Sequence, residues 1–271
     1  MDLIYDLGAH EGLNLPYYLV RAKRVVAVEA NAQLADGLRV KFAEDIKSGK
    51  LVVVEAAIVG SNEGPTITFW LNSQNSVLSS LVEPLDSTFF KAVTVPSISV
   101  SELFKTYGNP DFVKVDLEGF DVEIITEMFR QGITPESMQV EGWNPAVFGV
   151  LAGVGLYGSF KVVNGPQVAK RYKYHPFVGS DGRHRSHSFP YHSAGPIGDE
   201  VDGPWYSGTE IFKMIGLLGP GWYDIHASNR SNAPLGLRVG KRLLISTLFR
   251  RLADKGSLVK SGARNTWDLN W

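Results

Sequence analysis

Five short runs of apolar, largely β-branched residues, Leu3–Leu7, Val25–Glu29, Leu51–Ala57, Phe112–Asp116 and Met138–Glu141, alternate with stretches of helical periodicity. Each run is apolar enough to be covered on both faces, the pattern of a parallel sheet joined by crossover helices. The alternation confines this part of the chain to an α/β, doubly wound fold, and it places any ligand beyond the carboxyl ends of the strands. Helix signals fill the gaps. Asn14 can cap a helix with Pro16 in its first turn. Asn31 begins a second, with Leu34, Leu38, Phe42 and Ile46 at helical spacing and Gly49 as its stop. Ser99 and Glu102 form a capping box for a third.

One insertion breaks the rhythm between Gly60 and Pro96, where ITFWL, SVLSSLV and AVTV read as strands of a small β excursion after the third strand. After Glu141 the pattern predicts a helix over Ala146–Val154 and strands at Phe160–Val163 and Trp222–Ala227. The loop from about Lys173 to Gly203 is too long for a plain connector and reads as an acceptor-binding lid or a solvated loop. No cysteine is present, which excludes disulfides and thiolate metal sites and suits a cytoplasmic protein. No run reaches the roughly 18–20 apolar residues of a membrane span, and the start lacks a signal-peptide pattern. The net charge of −1 gives no whole-chain case for nucleic acid. It conceals a basic tail: Arg238 to Arg264 holds eight basic residues and one acid, +7 against −8 for the remainder. Such a tail could make weak contact with a membrane surface or with another subunit.

The first strand runs directly into Asp6-Leu-Gly-Ala-His-Glu-Gly12. A dinucleotide loop would read G-x-G-x-x-G, its second glycine letting the backbone approach a pyrophosphate. His10 stands at that position, so the loop suits a ligand with less phosphate or none. The second strand ends in Glu29, 21 residues past Gly8, where an acid accepts hydrogen bonds from ribose hydroxyls. A carboxylate at Asp6 would repel a pyrophosphate and favour an ammonium or sulfonium ligand. The fourth strand delivers Lys114-Val-Asp-Leu-Glu-Gly119, whose glycine permits a sharp turn into a helix. Asp6, Glu29 and Asp116 thus bring acids from three strand ends to one crevice.

On these segments the chain resembles the FkbM-type S-adenosylmethionine-dependent methyltransferases. DLGAHEG, VVAVEAN, AAIVG with SNEG, SVLSSL and FVKVDLEGFDVEII carry the resemblance, and GSFKVVN, HSAGPIGDEVDGPW and GWYDIHAS extend it over most of residues 3–228. It implies a Rossmann-like, seven-stranded sheet whose last strand runs antiparallel, over residues 1–230, with 231–271 as a basic C-terminal extension. It also implies methyl transfer to a hydroxyl of a sugar, glycan or polyketide-like acceptor. By the same resemblance Asp6, Gly8, Ala9, His10 and Gly12 line the methionine end of the cofactor and Glu29 the ribose. Asn31, Ala57 and Ile58 border the adenine, while Asn75 and Asp116 lie toward the amino-acid end. Two positions depart from the family, His10 for a common asparagine and Ala32 for a common proline. The first strand begins near Met1, so the cover over the loop is expected from elsewhere in the chain or from a partner subunit in a homo-oligomer.

Methyl transfer from a sulfonium needs in-line approach to an activated carbon, and a hydroxyl acceptor gains from a base. Glu118 and Glu141, at the mouths of adjacent strands, are the candidates, with Asp116 nearer the cofactor; an ion pair with a basic residue is the structural alternative for Glu141. His175, His184, His187 and His192 match no tight ligand spacing, and no metal is assigned. His192, Trp143 and Trp205 are assigned to the acceptor, since flat aromatic faces stack on sugar rings. Tyr206 and Trp222 could supply further such faces, with core as the structural alternative for Trp222, which stands in an apolar run. Two other readings stand: a NAD-dependent oxidoreductase, against which His10 and Asp6 argue, and a non-catalytic cofactor-binding module of the same fold.

Overall fold

The computed structural model describes residues 1–60, 64–219 and 221–229, without the side chain of Leu218; the basic C-terminal extension lies outside the described residues. The elements follow in the order β1 (Leu3–Leu7), α1 (Leu15–Arg21), β2 (Arg24–Glu29), α2 (Ala32–Lys41), α3 (Ala43–Lys47), β3 (Leu51–Glu55), β4 (Ala57–Val59), β5 (Thr66–Asn72) and β6 (Phe90–Ser99). Then come α4 (Val100–Tyr107), β7 (Phe112–Val115), α5 (Asp121–Arg130), β8 (Ser137–Glu141), α6 (Ala146–Gly153), β9 (Ser159–Asn164), α7 (Val168–Arg171), β10 (His175–Val178), β11 (His184–His187), α8 (Gly208–Leu218) and β12 (Tyr223–Ser228).

Seven strands make one sheet in the order β3-β2-β1-β7-β8-β12-β9. β1 lies between β2 and β7, parallel to both, so strand order reverses at its carboxyl end and opens the crevice there. β12 runs antiparallel between β8 and β9, as the resemblance implied of the last strand. Side chains alternate across this sheet. Tyr5, Leu7, Val113 and Val115 pack with Phe104 of α4 and Ile124, Ile125 and Met128 of α5. Ile4, Val25, Ala27 and Phe112 face the other way, onto Tyr17 and Tyr18 of α1 and onto Phe177, Phe189 and Ile197.

Several local expectations are corrected. The run Leu51–Ala57 divides at Ala56: β3 stays in the main sheet, while β4 pairs with β6 in a separate three-stranded sheet of order β4-β6-β5. Of the insertion's predicted strands, SVLSSLV is instead a short 3-10 turn over Ser76–Leu78, with a single bridge from Ser80 to Trp70. Its serines and Asn75 satisfy polar groups locally rather than in a ladder. The predicted second helix breaks at Phe42 into α2 and α3. Asn31 caps α2 through the Gln33 amide, and Ser99 accepts from the Glu102 amide, but the Asn14 side chain caps nothing. It turns away to accept from the Ala194 amide at 2.8 Å.

The largest correction concerns Lys173–Gly203. Within it β10 and β11 form an antiparallel hairpin packed on α1. Glu200 accepts from Tyr17 Oη at 2.6 Å, lies 2.8 Å from His175 Nε2 and pairs with Arg21 at 2.7 Å. Most of the segment covers a face of the sheet, through Phe177, Phe189, Ile197 and Val201, and only Tyr191 and His192 reach the mouth. Among the described residues no helix is long and apolar enough to cross a membrane.

Candidate active site

The glycine loop is held from behind. The amides of Gly8 and Ala9 both donate to Val28 O at 3.0 Å, drawing the loop over the end of β2. Gly8 has φ +80°, and a Cβ there would stand 1.9 Å from the Asp116 carbonyl, so the loop and the β7 end touch backbone to backbone. Glu29 braces the next segment: its two carboxylate oxygens accept from the His10 and Asn31 amides, each at 2.8 Å. His10, at φ +49°, brings its Nε2 within 2.9 Å of Ser76 Oγ, so the insertion closes against the loop. Lys114 is buried beneath. Its Nζ donates to Gly8 O at 3.1 Å and lies 3.1 Å from Asp116 and 3.4 Å from Asp6. Burial alone would lower its pKa, but the Asp116 and Asp6 carboxylates more than offset this and hold it raised.

The turn after β7 is equally built. Asp121 accepts from the Leu117 amide at 2.8 Å and the Gly119 amide at 3.2 Å, and Ser80 of the insertion donates to the Glu118 carbonyl at 2.7 Å. This places Glu118, at φ +50°, beside Asp116 and Glu141, with one oxygen from each of the three within 4.8 Å of the others. Burial first, then the Asp116 and Asp121 charges, pushes Glu118 up to about 8. Burial, then Asp116 and Glu118, pushes Glu141 up to about 10. Neither carboxylate forms an ion pair among the described residues, so the structural alternative for Glu141 is not realised there.

Gly8, His10, Glu29, Asn31, Asp116, Glu118 and Glu141 all line one cavity of about 650 Å³, inside the range of roughly 300–1,000 Å³ typical of small-molecule sites. Trp143, Tyr191, His192 and Trp222 give it an aromatic wall. The His192 ring stacks on Trp222 with centroids 5.0 Å apart, and Tyr191 meets Trp222 edge-on at 5.4 Å. The tip carrying Tyr191 and His192 is fixed by Ala194, whose amide donates to Asn14 and whose carbonyl accepts from Gln139 at 2.7 Å.

A family model described as the methyltransferase FkbM domain matches residues 6–189. The chain belongs to the FkbM methyltransferase family. The cofactor of this FkbM chain is accordingly S-adenosylmethionine. No curated protein matches the chain in sequence. Among solved structures, a methyltransferase FkbM from Methylobacillus flagellatus is similar at 14% identity and TM-score 0.43, over 60% of this chain and 40% of that one. The precorrin-6y C5,15-methyltransferase of Geobacter metallireducens gives 12% and 0.36 over 83% and 78%. M. capricolum TrmK, solved with S-adenosylhomocysteine, gives 12% and 0.36 over 98% and 83%.

Most residues assigned from sequence meet in the FkbM cavity, including Ala9, Ala57, Ile58 and Asn75. Three do not. Asp6 is fully buried behind the loop and faces Lys114, so the cation it attracts is already part of the protein. Gly12 is outside the lining; a Cβ there would sit 2.6 Å from Leu38, so it serves the packing of the loop on α2. Trp205 is buried, its indole N–H donating to Asp199 at 2.6 Å with the Lys161 ammonium over its ring, away from the cavity. Trp222, for which a stacking face and core were both open, lines the cavity, and of the predicted lid only Tyr191 and His192 do. The remaining predicted histidines do not meet there: His175 pairs with Glu200 and His184 is exposed. Lys114 and Asp121 were not anticipated as site residues. Their signal was the alternation of charges through KVDLEGFD, legible only once the turn is known.

Proposed function

We propose that the chain is an S-adenosylmethionine-dependent O-methyltransferase acting on a hydroxyl of a sugar, glycan or polyketide-like acceptor. The observation that carries this reading is the pair Glu118 and Glu141, acids without a basic partner among the described residues, in the same cavity as the glycine loop and an aromatic wall. The acceptor oxygen attacks the methyl carbon in line, and the carbon–sulfur bond breaks. Its electrons neutralise the sulfonium, and S-adenosylhomocysteine leaves. The hydroxyl proton passes to Glu118 or Glu141 and then to water. Alignment of the two reactants supplies up to roughly 7–11 kcal/mol in favourable cases, and a positioned base about 10²–10⁴-fold. A sulfonium beside these carboxylates favours their ionised forms, so cofactor binding readies the base. A nicotinamide cofactor fits less well, since its pyrophosphate would face the same acids.

Calorimetric titration with S-adenosylhomocysteine is expected to show one site per chain; no heat at millimolar ligand would remove the reading. Transfer of labelled methyl to hydroxylated acceptors, sugars first, tests the acceptor class. Glu118→Gln and Glu141→Gln are each expected to lower kcat by about 10²–10⁴-fold with cofactor affinity kept. Cofactor binding with no turnover on any acceptor would favour the binding-module reading.

A further inference from the structure

The charges in the acceptor half do not balance. Lys114 is committed to Gly8 O, Asp6 and Asp116. Glu141 is only 8% exposed, lines the cavity, and its carboxylate makes no hydrogen bond or ion pair with any described residue. A buried acid left unpartnered is costly unless it is protonated or meets a cation. Here its nearest companions are two further carboxylates, Asp116 and Glu118, which make protonation the sole relief the described protein offers.

We infer that Asp116, Glu118 and Glu141 bind a hard divalent cation, of the Mg²⁺ or Mn²⁺ class, that grips the acceptor. The donors are three carboxylate oxygens with no imidazole among them, the set that suits magnesium, manganese or calcium rather than zinc. One oxygen from each lies within 4.8 Å of the others, so small side-chain rotations suffice to bring all three onto neighbouring positions of one cation's oxygen shell. The three come from the turn after β7 and the end of β8, both anchored by the main sheet, so the cation would be held on framework. Its remaining positions face the cavity. They suit two adjacent oxygens of one molecule, which narrows the acceptor to a vicinal diol or a hydroxy acid; this narrowing rests on the methyl-transfer reading above. The cation lowers the pKa of the coordinated hydroxyl. That hydroxyl gives its proton to the free second oxygen of Glu141 as its oxygen bonds the methyl carbon and the carbon–sulfur bond breaks.

The test is Mn²⁺ titration of chelator-stripped, full-length protein without cofactor or acceptor, read by the loss of the free-ion paramagnetic resonance signal. One Mn²⁺ per chain is expected, weakened at least tenfold by Glu118→Gln and by Glu141→Gln. Both variants should unfold cooperatively at or above the wild-type melting temperature and keep the wild-type S-adenosylhomocysteine affinity, which shows that the fold is intact. Absence of binding at millimolar Mn²⁺, or equal binding by both variants, overturns the cation site. S-adenosylhomocysteine binding by the stripped protein separates the two readings: cofactor without Mn²⁺ sinks the cation alone, and Mn²⁺ without cofactor supports the cation and sinks methyl transfer.

Discussion

Both oxygens of Glu29 are taken up by backbone amides, whereas Glu141 has no hydrogen-bond or ion-pair partner among the described residues and faces the cavity. Glu29 holds the His10 and Asn31 amides, and Lys114 holds the Gly8 carbonyl. On the other side, Glu118 and Glu141 have no basic partner among the described residues, and Trp143 and Tyr191 are 50% and 55% exposed. The same sheet thus supports one half whose geometry is completed by the protein and another whose geometry a ligand must complete. Preorganisation on the first side lowers the ordering needed when a cofactor binds. In the proposed function, the second side keeps unpartnered groups for the species that reacts.

Breaking the finished half should have the largest effect. Gly8→Ala places a methyl against the Asp116 carbonyl at a positive φ, and we expect a loss above about 4 kcal/mol of stability, or no folded protein, by denaturant titration. The acceptor half should respond in the opposite sense. Glu141 is raised from its ordinary 4.5 to about 10, so the folded chain holds a proton that the unfolded chain releases. That stabilising contribution is fully present below about pH 4.5 and is lost as pH rises toward the folded value. Glu141→Gln cannot ionise, and with chelator present it should exceed the wild type by about 1–3 kcal/mol, roughly 2–8 °C in Tm, near pH 9. The gain should vanish near pH 4, and an unchanged difference across that range would show that Glu141 is not strained. The smallest effect is expected from Trp143→Ala: a rise in acceptor KM of about 3–10-fold, equivalent to roughly 0.5–1.5 kcal/mol, with S-adenosylhomocysteine affinity unchanged.

What the sequence disclosed follows the range of the interactions involved. Strand β1 was readable to the residue, and β2, β7 and β8 to within one, because their burial is written in consecutive apolar residues. The turn through Asp116 and Glu118 was legible for the same local reason. The hairpin β10–β11 was not, since HPFV and HRSH carry no apolar alternation and owe their pairing to contact with Tyr17. Asp6 illustrates a subtler failure: its place at the strand end was right, but the lysine that neutralises it arrives from a strand more than a hundred residues later. For Trp222 the sequence left a stacking face and core both open, because its contacts with Tyr191 and His192 have no sequence signature.

Ala194 makes one further point. Its two backbone groups are gripped by Asn14, just past the glycine loop, and by Gln139, inside β8. The tip of the aromatic wall is therefore mounted on the chassis that carries the donor side, while Tyr191 and His192 project from it as fittings. Under the proposed function, such a layout would let the choice of acceptor drift through substitutions at the tip without realigning the methyl donor. New specificities can arise here by exchange of parts, not by redesign of the machine.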